Sequence, residues 1–286
     1  MRNKTLTVFI CIFFTTFCIS QERAFQIYNK DGDKISYRSL VSKIKKADVV
    51  LFGENHNDPI SHWLQLELTK SLHKYHGQNL ILGAEMIESD NQIILDEYIR
   101  GYIREKDFEK EAKIWPNHKP DYRPLIRYAK DNKIHFVATN IPRRFANMVY
   151  RFGIDTLSYL PEISKQYIAP LPILYDTSLQ CYKEIYTMAG GHGGDNFPKS
   201  QAIKDATMAH FIYLNMSQST KFLHYNGSYH SKYHESIIWY LLQLNSSLNI
   251  STIEVVEQSD IKEFNMEILG NADFFIVVDE DMCKTH

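Results

Sequence analysis

Six short apolar runs, rich in β-branched residues, recur at wide intervals along the 286-residue chain. They cover residues 47–54, 79–86, 133–140, 221–227, 250–256 and 273–279. Near-continuous apolar runs are typical of strands that are buried on both faces, as in a parallel sheet. Between the runs, apolar side chains repeat at helical spacing, most clearly over residues 60–76 and 231–244. This alternation predicts an α/β domain with a mainly parallel central sheet and flanking helices.

Two long stretches, about residues 89–132 and 142–218, carry helical patterns without a convincing strand. We interpret them as a helical insertion over the carboxyl edge of the strands. The glycine-rich segment 189–194, which contains His192, predicts a mobile loop within this insertion. No Pro-, Gly- or Ser-rich linker divides residues 21–286, so we expect a single domain.

Residues 1–20 have the arrangement of a signal peptide, in which two cations precede an uncharged run that ends at Cys18-Ile19-Ser20. This arrangement predicts cleavage before Gln21 and export to the periplasm or the cell surface. The uncharged run is shorter than the roughly 20 apolar residues that a spanning helix needs. A lipid anchor to the outer membrane at Cys18 is the alternative, although Phe17 is bulky where lipoprotein peptidases generally need a small residue.

Charge and cysteine content exclude several classes of protein. The formal net charge is −2, with both signs mixed along the chain, which argues against a nucleic-acid partner. After cleavage only Cys181 and Cys283 remain, too few for a disulfide framework or a cysteine-based zinc site. A single bridge between them and two free thiols are both open alternatives.

Polar side chains close three of the predicted strands. Glu54 and His56 follow the first run, Glu85 ends the second, and His230 follows the fourth. Because ligands bind beyond the carboxyl ends of parallel strands, we expect these four side chains to meet in one cleft. Two carboxylates and two imidazoles suit general acid–base chemistry or a divalent metal. Each one alone is as readily a cap, a turn former or a buried hydrogen-bonded group, so the prediction depends on their shared edge.

A second polar segment, Asn140-Ile141-Pro142-Arg143-Arg144, follows the third run. We expect Asn140 to cap a helix, with Arg143 and Arg144 in its first turn. Positive charge is unfavourable at the N-terminus of a helix. An anion is therefore expected beside the arginines, either a ligand carboxylate or a structural Asp or Glu.

Several motifs, taken in their order along the chain, resemble those of the ChaN-like haem-binding proteins. They are Gly53-Glu54-Asn55-His56, Gly83-Ala84-Glu85-Met86, Tyr122-Arg123-Pro124-Leu125, Asn140-Ile141-Pro142-Arg143, Gln201–Ala209 and Gly227-Ser228-Tyr229-His230. The resemblance spans about residues 46–280. It implies an exported protein, often lipid-anchored and iron-regulated, that binds haem and pairs two haems face to face across a homodimer. The wider superfamily includes erythromycin esterase-like and Tiki-like proteins, in which equivalent Glu and His residues serve hydrolysis, in some members with a divalent metal.

Haem needs an axial donor, a flat apolar slot and cations for its propionates. Under this resemblance, Arg143 and Arg144 are expected to meet the propionates. The candidate donors and contacts are Tyr175, Tyr182, Tyr186, His192 and Tyr229. The i, i+4 spacing of Tyr182 and Tyr186 is equally that of two side chains packed on one helix face, so core packing stays open for each tyrosine.

The functional hypotheses that follow differ in their cofactor. The first is an exported haem-binding protein of the ChaN type that acts in haem or iron acquisition or handling. The alternative is a metal-dependent hydrolase, esterase-like or peptidase-like, in which Glu54, Glu85 and His230 hold a divalent cation and His56 is the general base. A metal-independent version would use His56 as base with the carboxylates orienting it. The chain has no Gly-x-Ser-x-Gly motif, which argues against a serine nucleophile.

Overall fold

The computed structural model describes residues 23–190 and 192–286, and the centre of this part of the chain is one eight-stranded sheet. The strands are β1 (Phe25–Asn29), β2 (Lys34–Ile35), β3 (Val49–Glu54), β4 (Leu80–Glu88), β5 (His135–Asn140), β6 (Lys221–Gly227), β7 (Ile250–Gln258) and β8 (Phe274–Asp279). Their order across the sheet is β2-β1-β8-β7-β3-β6-β4-β5. Strands β3 to β8 pair in parallel, whereas β1 pairs antiparallel with β8 and with β2. The mainly parallel α/β fold expected from the sequence is confirmed.

The hairpin of β1 and β2 is the part of the sheet that the apolar runs did not indicate. Gly32 takes a positive φ of 81° in its turn, and the Asn29 side chain accepts the backbone N–H groups of Asp31 and Asp33. The two strands are short, and β1 covers the free edge of β8. A short, antiparallel edge pair needs no long apolar run, so its signal in the sequence is weak.

Helices cover both faces of the sheet. They are α1 (Tyr37–Ile44), α2 (Pro59–His76), α3 (Gln92–Ile99), α4 (Glu105–Glu111), α5 (Arg123–Asn132), α6 (Arg143–Phe152), α7 (Glu162–Lys165), α8 (Gln180–Met188), α9 (Asn196–Leu214) and α10 (Ile237–Leu244). One core packs α1, α2, α3 and α5 around strand residues such as Phe52 and Leu82. On the other face, α9 and α10 pack around Leu51 and Phe222. The sheet is therefore buried on both faces, which explains its continuous apolar strands.

The two stretches that the sequence predicts to be helical, about residues 89–132 and 142–218, contain helices and no strand among their described residues. Among these helices, α9 lies along a face of the sheet, because its Met208 and Ile212 belong to the apolar core there. No helix within the described residues is both long enough and apolar enough to cross a membrane. The predicted signal peptide, its Cys18, and Gly191 of the glycine-rich loop lie outside the described residues. The described Cys181 and Cys283 are free thiols.

Candidate functional site

The carboxyl ends of β3, β4 and β6 lie side by side and carry the polar cluster. β3 ends at Glu54, which pairs in register with Gly227 at the end of β6. β4 is regularly paired up to Ala84, after which its register with β5 shifts before Glu88. Irregularities of this kind often redirect side chains next to functional sites. Here the side chain of Glu85, which follows Ala84, contacts the end of β6.

The carboxylate of Glu54 is buried and surrounded by hydrogen-bond donors. Its Oε1 accepts His56 Nδ1–H at 2.8 Å and the Tyr122 hydroxyl at 2.6 Å. Its Oε2 accepts the side-chain amide of Gln65, which lies on α2. A buried carboxylate is costly unless it is hydrogen-bonded or paired. These donors offset that cost and make Glu54 a fixed acceptor for the ring of His56.

The ring of His56 lies between Glu54 and Glu85, against the backbone of Gly227. A Cβ on Gly227 would stand 2.9 Å from His56 Nε2 and 3.5 Å from Glu85 Oε2, so glycine is required for this approach. The His56 side chain is 41 % exposed and meets the Trp115 ring edge-on, with ring centres 4.9 Å apart. Burial opposes a charge on this ring, but the bond to Glu54 and the charges of Glu85 and Glu54 outweigh it and raise the pKa of His56. His56 therefore stays protonated at higher pH than a free histidine.

Glu85 connects the strand ends to His230. Its Oε2 accepts the backbone N–H of Gly227 at 2.8 Å, and its Oε1 lies 3.3 Å from His230 Nε2. Burial favours the neutral acid, but the positive charge of His230 and the hydrogen bond to it hold the pKa of Glu85 far below its usual range. Glu85 is therefore an anion at neutral pH.

His230 is held between two carboxylates. Its Nδ1 donates to Asp205 Oδ1 at 2.5 Å, opposite the contact of its Nε2 with Glu85. The second oxygen of Asp205 accepts the hydroxyl of Tyr182 at 2.9 Å. Both ring nitrogens face acceptors, an arrangement that favours the imidazolium form of the ring. Burial disfavours that charge, but the negative charges of Glu85 and Asp205 raise the pKa of His230 to about 10.

The structure thus brings the four predicted strand-end residues together in one continuous set of contacts. Their assignment as catalytic groups stays a prediction. Their assignment as metal ligands lacks structural support, since no three His, Cys, Asp or Glu side chains among residues 23–190 and 192–286 are arranged to hold an ion. Both ring nitrogens of His230 face carboxylates, and hydrogen-bond donors already contact both oxygens of Glu54.

Three further members of the site were not identified from the sequence. Gln65, Tyr122 and Asp205 are buried and bind Glu54 or His230. Tyr122 and Asp205 lie inside motifs that carried the family resemblance, yet neither had been assigned a role. A usable signal was present, because a polar residue on the apolar face of a helix needs a buried partner.

The prediction that Asn140 caps the next helix is wrong. Pro142 precedes the first residue of α6, no side chain caps that helix, and the Asn140 side-chain amide donates to the carbonyl of Glu85 at 2.9 Å. The arginines that follow differ from each other. Arg144 pairs with Asp90, whereas Arg143 is exposed and makes no hydrogen bond or ion pair with the described residues. Of the two arginines, only Arg144 therefore has the structural carboxylate that the sequence predicted, which is Asp90.

The predicted haem contacts separate into buried and exposed side chains. Tyr182 is buried with its hydroxyl on Asp205, and Tyr175 packs beside it with ring centres 5.4 Å apart. Tyr186 and Tyr229 are 45 % and 39 % exposed, and His192 is also exposed. The structure therefore joins Tyr182 to the strand-end cluster through Asp205 and leaves three of the five side chains open to solvent.

Similar folds occur among solved structures. ChaN of Campylobacter jejuni, described with cofacial haem binding, has a TM-score of 0.69 and 20 % identity, over 90 % of this chain and 98 % of that one. A succinoglycan biosynthesis protein has a TM-score of 0.51 and 12 % identity, over 85 % of this chain and 90 % of that one. An erythromycin esterase in its open conformation has a TM-score of 0.49 and 11 % identity, over 90 % and 83 % of the two chains. At these identities the likeness to the first two structures shows the fold alone.

The sequence itself carries the family assignment. No functionally curated protein matches the chain. The model of the family described as "Haem-binding uptake, Tiki superfamily, ChaN" matches residues 40–241, a range that includes all four strand-end residues and Arg143. Because this match covers well over half of the sequence, the chain belongs to the ChaN family of haem-binding uptake proteins in the Tiki superfamily.

Proposed function

We propose that this protein is an exported haem-binding protein that acts in haem or iron acquisition. The observation that carries the proposal is the family match over residues 40–241. The solved relative from Campylobacter jejuni is described as binding haem cofacially, and this chain shares its fold over 90 % of the length. Haem is therefore the ligand that we expect at the exposed side chains.

Arg143 is suited to bind a haem propionate. Its side chain is exposed and, among the described residues, has no partner, whereas Arg144 already pairs with Asp90. Arg143 also begins α6, whose first N–H groups are not capped by a side chain and favour an anion. A charge-assisted bond between guanidinium and carboxylate contributes about 1.5–3 kcal/mol. Of the two arginines predicted to bind haem, Arg143 is therefore the one we retain.

Tyr186, His192 and Tyr229 are suited to contact the iron. Haem supplies an iron with open axial positions, and phenolate and imidazole are side-chain groups that fill such a position in proteins. All three side chains are exposed. Tyr182 is not suited, because its hydroxyl is buried and already donates to Asp205. We assign Tyr182 to packing and to the strand-end cluster.

Haem would lie on the surface and not inside the domain. The apolar cavity lined by Trp115, Tyr122 and Tyr225 measures about 10 Å³, room for no more than one water. A more open cavity of about 260 Å³, lined by residues such as Lys43 and Asp273, contains none of the candidate haem contacts. A haem bound at exposed side chains would leave one apolar face in water, which costs free energy in proportion to the exposed area. A second copy of the chain would cover that face, so a homodimer is part of the proposal.

The metal-dependent hydrolase is the weaker alternative. The side chains that would hold the cation already bind one another, as the contacts of His230 with Glu85 and Asp205 illustrate. Hydrolysis without a metal would need only His56 oriented by Glu54, and an ester and peptide screen beside the haem measurements would detect it.

Export is inferred from the signal-peptide pattern of residues 1–20. The intact mass of protein recovered from the envelope or medium of an expressing bacterium tests it. We expect a chain that begins at Gln21. A chain that retains Met1 would contradict export, and diacylglycerol on Cys18 would replace the soluble form of the proposal by the lipid-anchored one.

The two neighbouring arginines give a matched test of the binding site. Haem is titrated into each protein while the Soret band is recorded. Arg143→Ala should raise the Kd roughly ten- to a hundredfold, since it removes a charge-assisted contact, and Arg144→Ala should change it by less than about threefold. Equal effects of the two substitutions would refute the assignment of Arg143. Failure of the unaltered protein to bind haem saturably would refute the proposed function itself.

A further inference from the structure

The segment Lys284–Thr285 returns to the carboxyl edge of the sheet and contacts the loop between β3 and α2. The backbone N–H of Thr285 donates to the carbonyl of Asn57 at 2.9 Å. Lys284 Nζ lies 2.5 Å from Glu257 Oε1, the same oxygen that accepts the Asn55 side-chain amide at 3.1 Å. One contact with the loop is direct and the other passes through Glu257.

The hydroxyl of Thr285 joins a second, buried network below the same loop. It donates to Asp121 Oδ2 at 2.9 Å, and the same oxygen accepts Asn117 Nδ2–H at 2.8 Å. Asn117 Nδ2 and His62 Nε2 in turn donate to the carbonyl of His56, at 3.0 Å and 3.1 Å. Thr285 is thereby connected to the backbone of His56 through Asp121 and Asn117.

The position of His56 is sensitive to the conformation of this loop. Asp58 caps α2 by accepting the N–H groups of Ile60 and Ser61, whereas residues 55–57 belong to neither β3 nor α2 and are not fixed by a helix or strand hydrogen-bond ladder. The ring of His56 nevertheless has to stay in contact with Gly227 while it donates to Glu54 at 2.8 Å. Hydrogen bonds from outside the loop are therefore needed to hold the ring in this place.

We propose that Lys284 and Thr285 form a strap that fixes the β3–α2 loop and so positions His56 in the strand-end cluster. Both are positioning residues, because they act on His56 only through the loop and its buried partners. The strap acts only on the geometry of the cluster. Its test is therefore independent of whether the protein binds haem.

A pair of substitutions at Thr285 tests the strap. Thr285→Val keeps the shape of the side chain but removes the hydroxyl, and Thr285→Ser keeps the hydroxyl. We expect Thr285→Val to accelerate hydrogen exchange of the Asp58 amide, which donates to the carbonyl of Asn55, about tenfold and to shift the NMR signals of the His56 ring. Thr285→Ser should resemble the unaltered protein in both measurements.

Lys284→Ala and Lys221→Ala provide the second comparison. Lys221 forms an ion pair of 2.8 Å with Asp48 at the opposite edge of the sheet, so its removal should leave the His56 signals unchanged, whereas Lys284→Ala should move them. Identical loop exchange in Thr285→Val and Thr285→Ser would overturn the proposal. Equal acceleration of the core amides of β6 would also overturn it, because the effect would then be a loss of global stability.

Discussion

Asp205→Asn removes one of the two charges that hold His230 as an imidazolium and keeps the shape of the side chain. The pKa of His230 is raised from 6.5 to about 10, which corresponds to about 5 kcal/mol in favour of the charged ring. Glu85 and Asp205 share this stabilisation, and burial raises the pKa of Asp205, so the cost of charging Asp205 offsets part of it. Loss of the Asp205 charge should therefore lower the free energy of unfolding by about 1–3 kcal/mol. For a chain of this size the Tm should fall by roughly 3–10 °C.

The pH dependence of this loss follows from the sign of the shift. A group whose pKa is raised by folding stabilises the native state fully below its unfolded pKa, here 6.5, and loses that contribution as the pH rises towards 10. The difference between the unaltered protein and Asp205→Asn should therefore be large near about pH 7 and small near about pH 10. Urea unfolding at both values measures it, with the exposed Asp131→Asn as the control. A difference below about 0.5 kcal/mol near pH 7, or one that does not shrink at alkaline pH, would refute the imidazolium clamp.

Two further substitutions test neighbouring parts of the structure. Gly227→Ala should displace the ring of His56, because the added Cβ would stand 2.9 Å from it. The substitution should lower the free energy of unfolding, measured in urea, by about 1–3 kcal/mol, and unchanged NMR signals of His56 would contradict this packing. Glu254 is 6 % exposed with Oε2 unpartnered among the described residues, and burial raises its pKa from 4.5 to about 7. Ionisation of Glu254 therefore lowers the free energy of unfolding as the pH rises from 4.5 through 7. Glu254→Gln should stabilise the protein by roughly 3 kcal/mol near about pH 8 and hardly at all near pH 4.5. An equal gain at both pH values would contradict the assignment.

The parallel strands were predictable because each is buried on both faces. Residues 49–53, Val-Val-Leu-Phe-Gly, are all buried and carry no polar side chain, and this leaves a signal in the sequence that needs no knowledge of the neighbouring strands. The edge strands β1 and β2 have no such requirement. They were found only in the structure, where β1 pairs with β8, a strand that is far from it in the sequence.

The strand-end residues were predictable for a topological reason, and their partners were not. Glu54 ends β3, and Glu85 follows the last regularly paired residue of β4, Ala84. The carboxyl ends of parallel strands meet at one edge whatever the details of packing. Asp205 reaches His230 only because α9 packs along a face of the sheet, and no local pattern specifies that arrangement. Asn140 illustrates the same limit, since its side chain binds a carbonyl of the neighbouring strand in place of its own helix.

The charged side chains at the strand ends differ in whether they are buried or exposed. The buried part of the strand-end cluster is a closed set of charges, in which His230 lies between Glu85 and Asp205. The exposed side chains include His56, which donates to Glu54, and Arg143, which has no partner among the described residues. This contrast supports Arg143 as the proposed partner of an anionic ligand.

Haem titration of the chain without its predicted signal peptide tests haem binding and dimer formation together. The Soret band is followed as haem is added to residues 21–286, with the number of haems per chain read from the end point. We expect a saturable red-shifted band with one haem per chain, accompanied by a doubling of the mass in solution as two haem-bearing copies pair. A band that grows in proportion to added haem without saturation, at unchanged mass, would contradict it.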